Sequence, residues 1–134
     1  MEIYPYQYNQ LTQQYLPIIE IKIRNLKNPD FEIKDLGILD TGSDITLIPF
    51  SVLSRLNTLT AKRKPIEFYG VGNKKTIGIA YRLAVSLDTG NFFKTIVYGC
   101  AEDDTQGIMI IGRNILNRFS ITFDGINKQI IIND

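Results

Sequence analysis

The chain has 134 residues, 44% of them hydrophobic and 22% charged, with a formal net charge of +1 and no histidine. That length suits one ordinary domain and is small for two, and the near-neutral balance supplies no general field for a nucleic acid. Without histidine, Ser-His-Asp and Cys-His catalysis and the usual zinc sites are excluded. The sole cysteine, Cys100, rules out an intramolecular disulfide. Beside Tyr98-Gly99 it reads as a small core residue, not a reactive thiol. Met1 to Tyr6 lacks a basic n-region and a continuous apolar h-region, and no stretch approaches the roughly 20 apolar residues of a membrane span. A soluble, cytoplasmic protein with no membrane partner is the expectation.

Residues 1–16, rich in Tyr, Gln and Asn without a clean period, read as an N-terminal arm or lead-in, ordered if it packs on the body or a partner. At Ile19, Ile21 and Ile23, alternating with Glu20, Lys22 and Arg24, a period of two begins and predicts a half-exposed strand. Asn28-Pro29-Asp30 breaks it, and Phe31 to Lys34 resumes the alternation, giving a hairpin. Thr46-Leu47-Ile48 reads as a strand ended by Pro49, and Ser51 to Leu56 as a short helix with Val52, Leu53 and Leu56 inward. Lys62-Arg63-Lys64 and Lys74-Lys75 are read as solvated loop surface. Ile66 to Tyr69 is a predicted strand, Gly70 to Lys75 a glycine-punctuated turn, and Thr76 to Leu87 a long strand. Phe92 to Tyr98 is another. Glu102-Asp103-Asp104 with Gln106-Gly107 reads as a solvated loop, and Ile108 to Ile111 as a strand too continuous for an exposed edge. Asn114 to Phe119 suggests a short helix, and Ser120 to Phe123 pairs with Gln129 to Ile132 across the Asp124-Gly125 turn. Short strands with turn punctuation and hardly any helix predict an all-β barrel or sandwich.

The stretch that carries chemistry is Ile38-Leu39-Asp40-Thr41-Gly42-Ser43-Asp44. Asp-Thr-Gly is a turn signal. Here it lies between apolar strands, so Asp40 is expected to be carried towards the interior. An unpaired buried carboxylate is costly and calls for a perturbed pKa or a charge-sharing partner.

With Ile45-Thr46-Leu47-Ile48 following, this loop resembles the catalytic loop of retroviral-type (retropepsin) aspartic proteases. Asp-Thr-Gly alone is common in unrelated proteins. Two further segments add to it in the right order. Ile110-Ile111-Gly112-Arg113-Asn114-Ile115-Leu116 resembles the family's Gly-Arg-Asn/Asp segment, and Gly70-Val71-Gly72-Asn73-Lys74-Lys75-Thr76-Ile77-Gly78 resembles the flap of its cellular and prokaryotic single-domain members. The three cover most of the chain from about residue 18. Taken alone, the glycine-rich stretch reads as an ordinary turn; no helix follows it and Walker spacing is absent, so it is not a phosphate loop.

The resemblance implies an all-β fold, a closed or partly open barrel with one or two short helices, over residues 17–134. It implies an aspartic endopeptidase without metal or organic cofactor, acting as a homodimer on an extended peptide and not on nucleic acid. Asp40, Thr41 and Gly42 would be catalytic. Ser43, Asp44, Gly70, Val71, Gly72, Asn73 and Ile110 would contact substrate, with Gly112, Arg113 and Asn114 supporting the site. Asp44 is expected to bind substrate main chain and to pair with Arg113. Two adjacent carboxylates hold one shared proton, which provides a base and an acid together. A second triplet, Asp88-Thr89-Gly90, is followed by Asn91-Phe92-Phe93 and lacks its own Gly-Arg-Asn segment; it reads as a hairpin turn, so the second carboxylate must be Asp40 of another copy. Ile130-Ile131-Ile132 is expected near that interface. Ser43, where retroviral enzymes commonly have Ala, has two partners open to it: donation to Asp40 would favour the ionised form and an acidic optimum, and a bond to a backbone carbonyl would leave the optimum unshifted. The alternatives are a peptide-binding or dimerisation module with little proteolysis, or a domain of a larger polyprotein.

Overall fold

The computed structural model describes residues 1–58, 64–87 and 90–133. Lys62, Arg63, Asp88 and Thr89, on which two of the readings above fall, lie outside them. The alternation at Ile19, Ile21 and Ile23 becomes β4 (Ile18–Asn25), which places those three side chains at 2%, 0% and 0% exposure. Across the Asn28-Pro29-Asp30 turn it pairs with β5 (Glu32–Leu39), from Arg24↔Glu32 to Ile18↔Ile38. β5 delivers the chain into the Asp40 loop.

Beyond that loop come β6 (Leu47–Pro49), α1 (Phe50–Ser54), β7 (Ile66–Tyr69), β8 (Lys75–Ser86), β9 (Phe93–Cys100), α2 (Glu102–Thr105), β10 (Met109–Ile111), α3 (Arg113–Leu116), β11 (Ser120–Asp124) and β12 (Gln129–Asn133). The strand order β4-β5-β10-β6-β9-β8 closes on itself, because β8 returns to β4 from Lys22↔Ser86 to Asn25↔Leu83. Closure removes the exposed edges of a sheet. The core inside is aliphatic and includes Ile21, Ile23, Ile48, Leu83, Val97, Met109 and Ile111. β10 sits between β5, with which it is parallel, and β6, with which it is antiparallel. It therefore sets the Gly-Arg-Asn segment directly against both ends of the Asp40 loop.

One element differs from expectation, and the N-terminal arm is ordered by packing on the body. The acidic run forms α2; Glu102, Asp103 and Asp104 occupy its first turn, where the helix dipole favours negative charge. The N-terminal residues form β1 (Glu2–Pro5) and a β2 (Gln7–Asn9)–β3 (Gln14–Leu16) hairpin. β1 lies along β12, from Glu2↔Ile132 to Pro5↔Gln129, in the sheet β1-β12-β11. Ile130 and Ile132, at 0% and 1% exposure, are thus core residues of their own chain. The strands of this sheet with an open edge are β1 and β11, not the isoleucine run. Among the described residues no helix is long and apolar enough to cross a membrane.

Candidate active site

The Asp40 loop is held from behind by the segment that follows β10. Asp40 N–H donates to the Ile111 carbonyl at 2.9 Å, and Leu39 N–H to the Pro17 carbonyl at 2.9 Å. Within the loop, Gly42 N–H donates to Asp40 Oδ1 at 2.9 Å and Ser43 N–H to the Asp40 carbonyl at 3.2 Å. Asp40 is half-buried, while Thr41 and Gly42 are exposed. The single chain therefore presents its carboxylate at the surface and does not carry it into the core. The reason is topological: the loop is the crossing between β5 and β6, and its tip at Thr41 and Gly42 is exposed.

Gly112 and Arg113 grip the loop. A Cβ on Gly112 would lie 2.0 Å from the Ile45 carbonyl oxygen and 2.8 Å from that of Ser43, so only glycine fits between them. Arg113 N–H donates to the Ser43 carbonyl at 2.8 Å, and its Nη1 to the Thr41 carbonyl at 2.8 Å. The other arm of the guanidinium pairs with Asp44. That pair is well exposed, so it orients Asp44 without adding much stability. The expected Asp44–Arg113 partnership is present. Asn114 Oδ1 accepts from Thr46 Oγ1 at 2.7 Å, and its amide donates to the Ile96 carbonyl at 2.9 Å. Thr46 is the residue the sequence reading passed over. A threonine inside the apolar run Ile45 to Ile48 was the available signal.

Of the two partners open to the Ser43 hydroxyl, the backbone carbonyl is the one it takes. The hydroxyl donates to the Ile45 carbonyl at 2.7 Å and not to Asp40. The bend at Asp44–Ile45 brings that carbonyl round to the hydroxyl, whereas Asp40 Oδ1 already has the Gly42 amide.

The glycine-punctuated segment forms the tip of a hairpin. β7 and β8 pair from Tyr69↔Lys75 to Ile66↔Gly78, and Gly70 N–H donates to the Lys74 carbonyl at 2.8 Å. Gly72 and Asn73 have φ of +75° and +59°, the left-handed region that glycine and asparagine enter most easily. Val71, just before them, is fully exposed. Phe68 meets the Tyr98 ring edge-on at 4.8 Å beside Gly78, which anchors the base of the hairpin on the barrel. A groove of about 340 Å³ lies between β8 and the short helices, lined by Phe50, Lys75, Ile77, Ile79, Ala101 and Asp104. None of the Asp40-loop residues lines it. Ile110 is half-buried between Ile38 and Leu47, on the face of β10 opposite the core residues Met109 and Ile111. The second triplet lies partly outside the described residues; on either side of it β8 and β9 pair antiparallel up to Val85↔Phe93. Among the described residues no cluster of His, Cys, Asp or Glu is arranged to hold a metal ion.

None of the curated proteins matches this chain in sequence. Solved structures do. A retropepsin-like aspartic protease from Rickettsia conorii superimposes with a TM-score of 0.65 at 17% identity, covering 99% of each chain. The retroviral protease-like domain of Ddi1 from Leishmania major gives 0.58 at 15% identity, covering 89% of each. The EIAV protease, in its complex with the inhibitor HBY-793, gives 0.56 at 20% identity, covering 84% of this chain and 92% of the other. At such identities the likeness establishes the fold. The family described as retroviral aspartyl protease matches residues 13–124. That span includes the Asp40 loop, the β7–β8 hairpin and the Gly-Arg-Asn segment, and the chain belongs to the retroviral aspartyl protease family.

Proposed function

We propose that the chain is an aspartic endopeptidase whose active site is completed by a second copy. The observation that carries this is the Asp40 loop itself. Its carboxylate is held on the open side of a loop clamped from behind by Gly112 and Arg113, and among the described residues no carboxylate of the same chain bonds to it. Two Asp40 side chains brought together share one proton. The ionised carboxyl takes a proton from a water, whose oxygen attacks the scissile carbonyl carbon. The protonated carboxyl gives its proton to the carbonyl oxygen, and collapse of the tetrahedral species transfers a proton to the leaving amide nitrogen. Thr41 and Gly42, both exposed, meet the second loop in this reading.

The substrate is an extended peptide lying as a strand between the two Asp40 loops and the β7–β8 hairpins. Hairpin closure would exclude water from the reacting bond. Asp44, held by Arg113, is the main-chain contact, and Ile110 a pocket wall.

Digestion of a diverse peptide mixture by wild type and by Asp40→Asn tests the reading. The amide nearly keeps the carboxylate's shape but cannot share the proton, so cleavage should vanish while the dimer persists. Specific activity should also fall on dilution below the dimer dissociation constant. Wild-type turnover by Asp40→Asn, or constant specific activity in a sedimentation-verified monomer range, would refute it. A wild type that binds peptides but cleaves none would favour the binding-module alternative.

A further inference from the structure

The grip of Arg113 on the Asp40 loop depends on where Arg113 itself is held, and both of its neighbours are fixed on one side-chain oxygen. Thr46, at 0% exposure, precedes β6 where the chain leaves the loop. Its Oγ1 accepts from Gly112 N–H at 3.1 Å and donates to Asn114 Oδ1 at 2.7 Å. Asn114 in turn donates to the Ile96 carbonyl at 2.9 Å and to Thr95 Oγ1 at 3.4 Å. Thr46's own carbonyl accepts from Tyr98 N–H at 2.9 Å. The hydroxyl thus joins the loop's exit, the residues on both sides of Arg113, and β9. A buried hydroxyl with its donor and acceptor capacity both used fixes geometry more tightly than a methyl of the same size.

We propose that Thr46 Oγ1 is a positioning group. By holding residues 112 and 114 it sets the Arg113 backbone against the Ser43 carbonyl and the guanidinium against the Thr41 carbonyl, and so sets the orientation of Asp40. The bland role for a threonine here is to fill the core with its methyl, and the two roles separate experimentally. The inference rests on the proposed proteolysis only for its kinetic readout.

Thr46→Val keeps the shape and removes the hydroxyl, leaving Gly112 N–H and Asn114 Oδ1 without their partner. Thr46→Ser keeps the hydroxyl and removes the methyl. Amide hydrogen exchange reads positioning whether or not the protein cleaves peptides. In Thr46→Val the Gly112 and Arg113 amides should exchange about tenfold faster or more. Barrel amides such as Ile21 and Val97 should keep their wild-type rates, and Thr46→Ser should protect all four. In the cleavage assay kcat should fall about tenfold or more in Thr46→Val with KM within about twofold, and recover in Thr46→Ser. Unchanged exchange at Gly112 and Arg113, or equal acceleration of the barrel amides, overturns the proposal. So does a Ser variant that behaves like Val. If Thr46→Val does not fold, Asn114→Ala replaces it. That variant removes one of the two bonds and must still accelerate the Gly112 and Arg113 amides selectively; failure to do so refutes the proposal equally. A wild type without turnover would defeat the proteolytic reading while the exchange result still decides this one.

Discussion

Gly112→Ala puts the clamp behind the Asp40 loop to a quantitative test. The added Cβ would sit 2.0 Å from the Ile45 carbonyl oxygen, 2.6 Å from its carbon and 2.8 Å from the Ser43 carbonyl oxygen, whereas ordinary contact begins at 3.4 Å. All three atoms are backbone, so no side-chain rotation relieves the clash. The loop must retreat by more than an ångström. That movement disrupts Arg113 N–H to the Ser43 carbonyl at 2.8 Å, Gly112 N–H to Thr46 Oγ1 at 3.1 Å, and Ser43 Oγ to the Ile45 carbonyl at 2.7 Å. Overpacking a closed site costs about 1–3 kcal/mol, and each lost hydrogen bond about 1 kcal/mol net. A destabilisation of about 4 kcal/mol or more follows, a large part of the stability of an ordinary domain. Urea unfolding followed by circular dichroism measures it. Gly125→Ala serves as the control, because a Cβ there meets nothing within 4 Å and the change should stay within about 0.5 kcal/mol. In whatever fraction of Gly112→Ala folds, displacement of the loop should lower turnover about a hundredfold. Equal midpoints and slopes for the two variants would show that Gly112 is not held as described, and the account of the clamp would fall with it.

Two further predictions concern titration and reactivity. Because the Ser43 hydroxyl is bonded to the Ile45 carbonyl and not to Asp40, Ser43→Ala should leave the pH profile of peptide cleavage unmoved while lowering stability by about 1 kcal/mol; a shift of the optimum between two dimeric proteins on one substrate would restore the discarded hydrogen bond. Burial, with the charges of Asp104 and Glu102 adding to it, pushes the Cys100 thiol up from 9.0 to about 12. Since the neutral form is the one the fold favours, this contribution to stability is complete below pH 9.0 and is lost as pH rises towards 12. At pH 8 a disulfide reagent should therefore modify native Cys100 no faster than the chain opens, and reaction at the rate of a free thiol would contradict its burial.

What the sequence alone determined was whatever depends on near neighbours in the chain. The period-two pattern of Ile19, Ile21 and Ile23 identified an inward face, because a one-residue slip would turn all three towards water. The Asp40 loop and the Gly-Arg-Asn segment were legible because their residue types are dictated by local needs: a turn former, a carboxylate, a glycine where backbones touch. The hairpin tip at Gly70 to Lys74 was legible for the same reason, since Gly72 and Asn73 adopt positive φ.

Tertiary structure decided the rest. β1, β2 and β3 are three or four residues each and half polar, too short to show a period. β1 exists because β12 offers it a partner more than a hundred residues away. α2 is a four-residue helix in a run that composition alone assigns to solvent. Closure of the barrel through β4 and β8 joins segments with no sequence signal of their pairing. Ser43 and Thr46, both hydroxyl residues of one loop, turn their oxygens to different partners because of which carbonyls and amides folding brings within reach. For Ser43 that partner is two residues on, whereas Thr46 meets groups 66 and 68 residues away that only the fold brings to its hydroxyl.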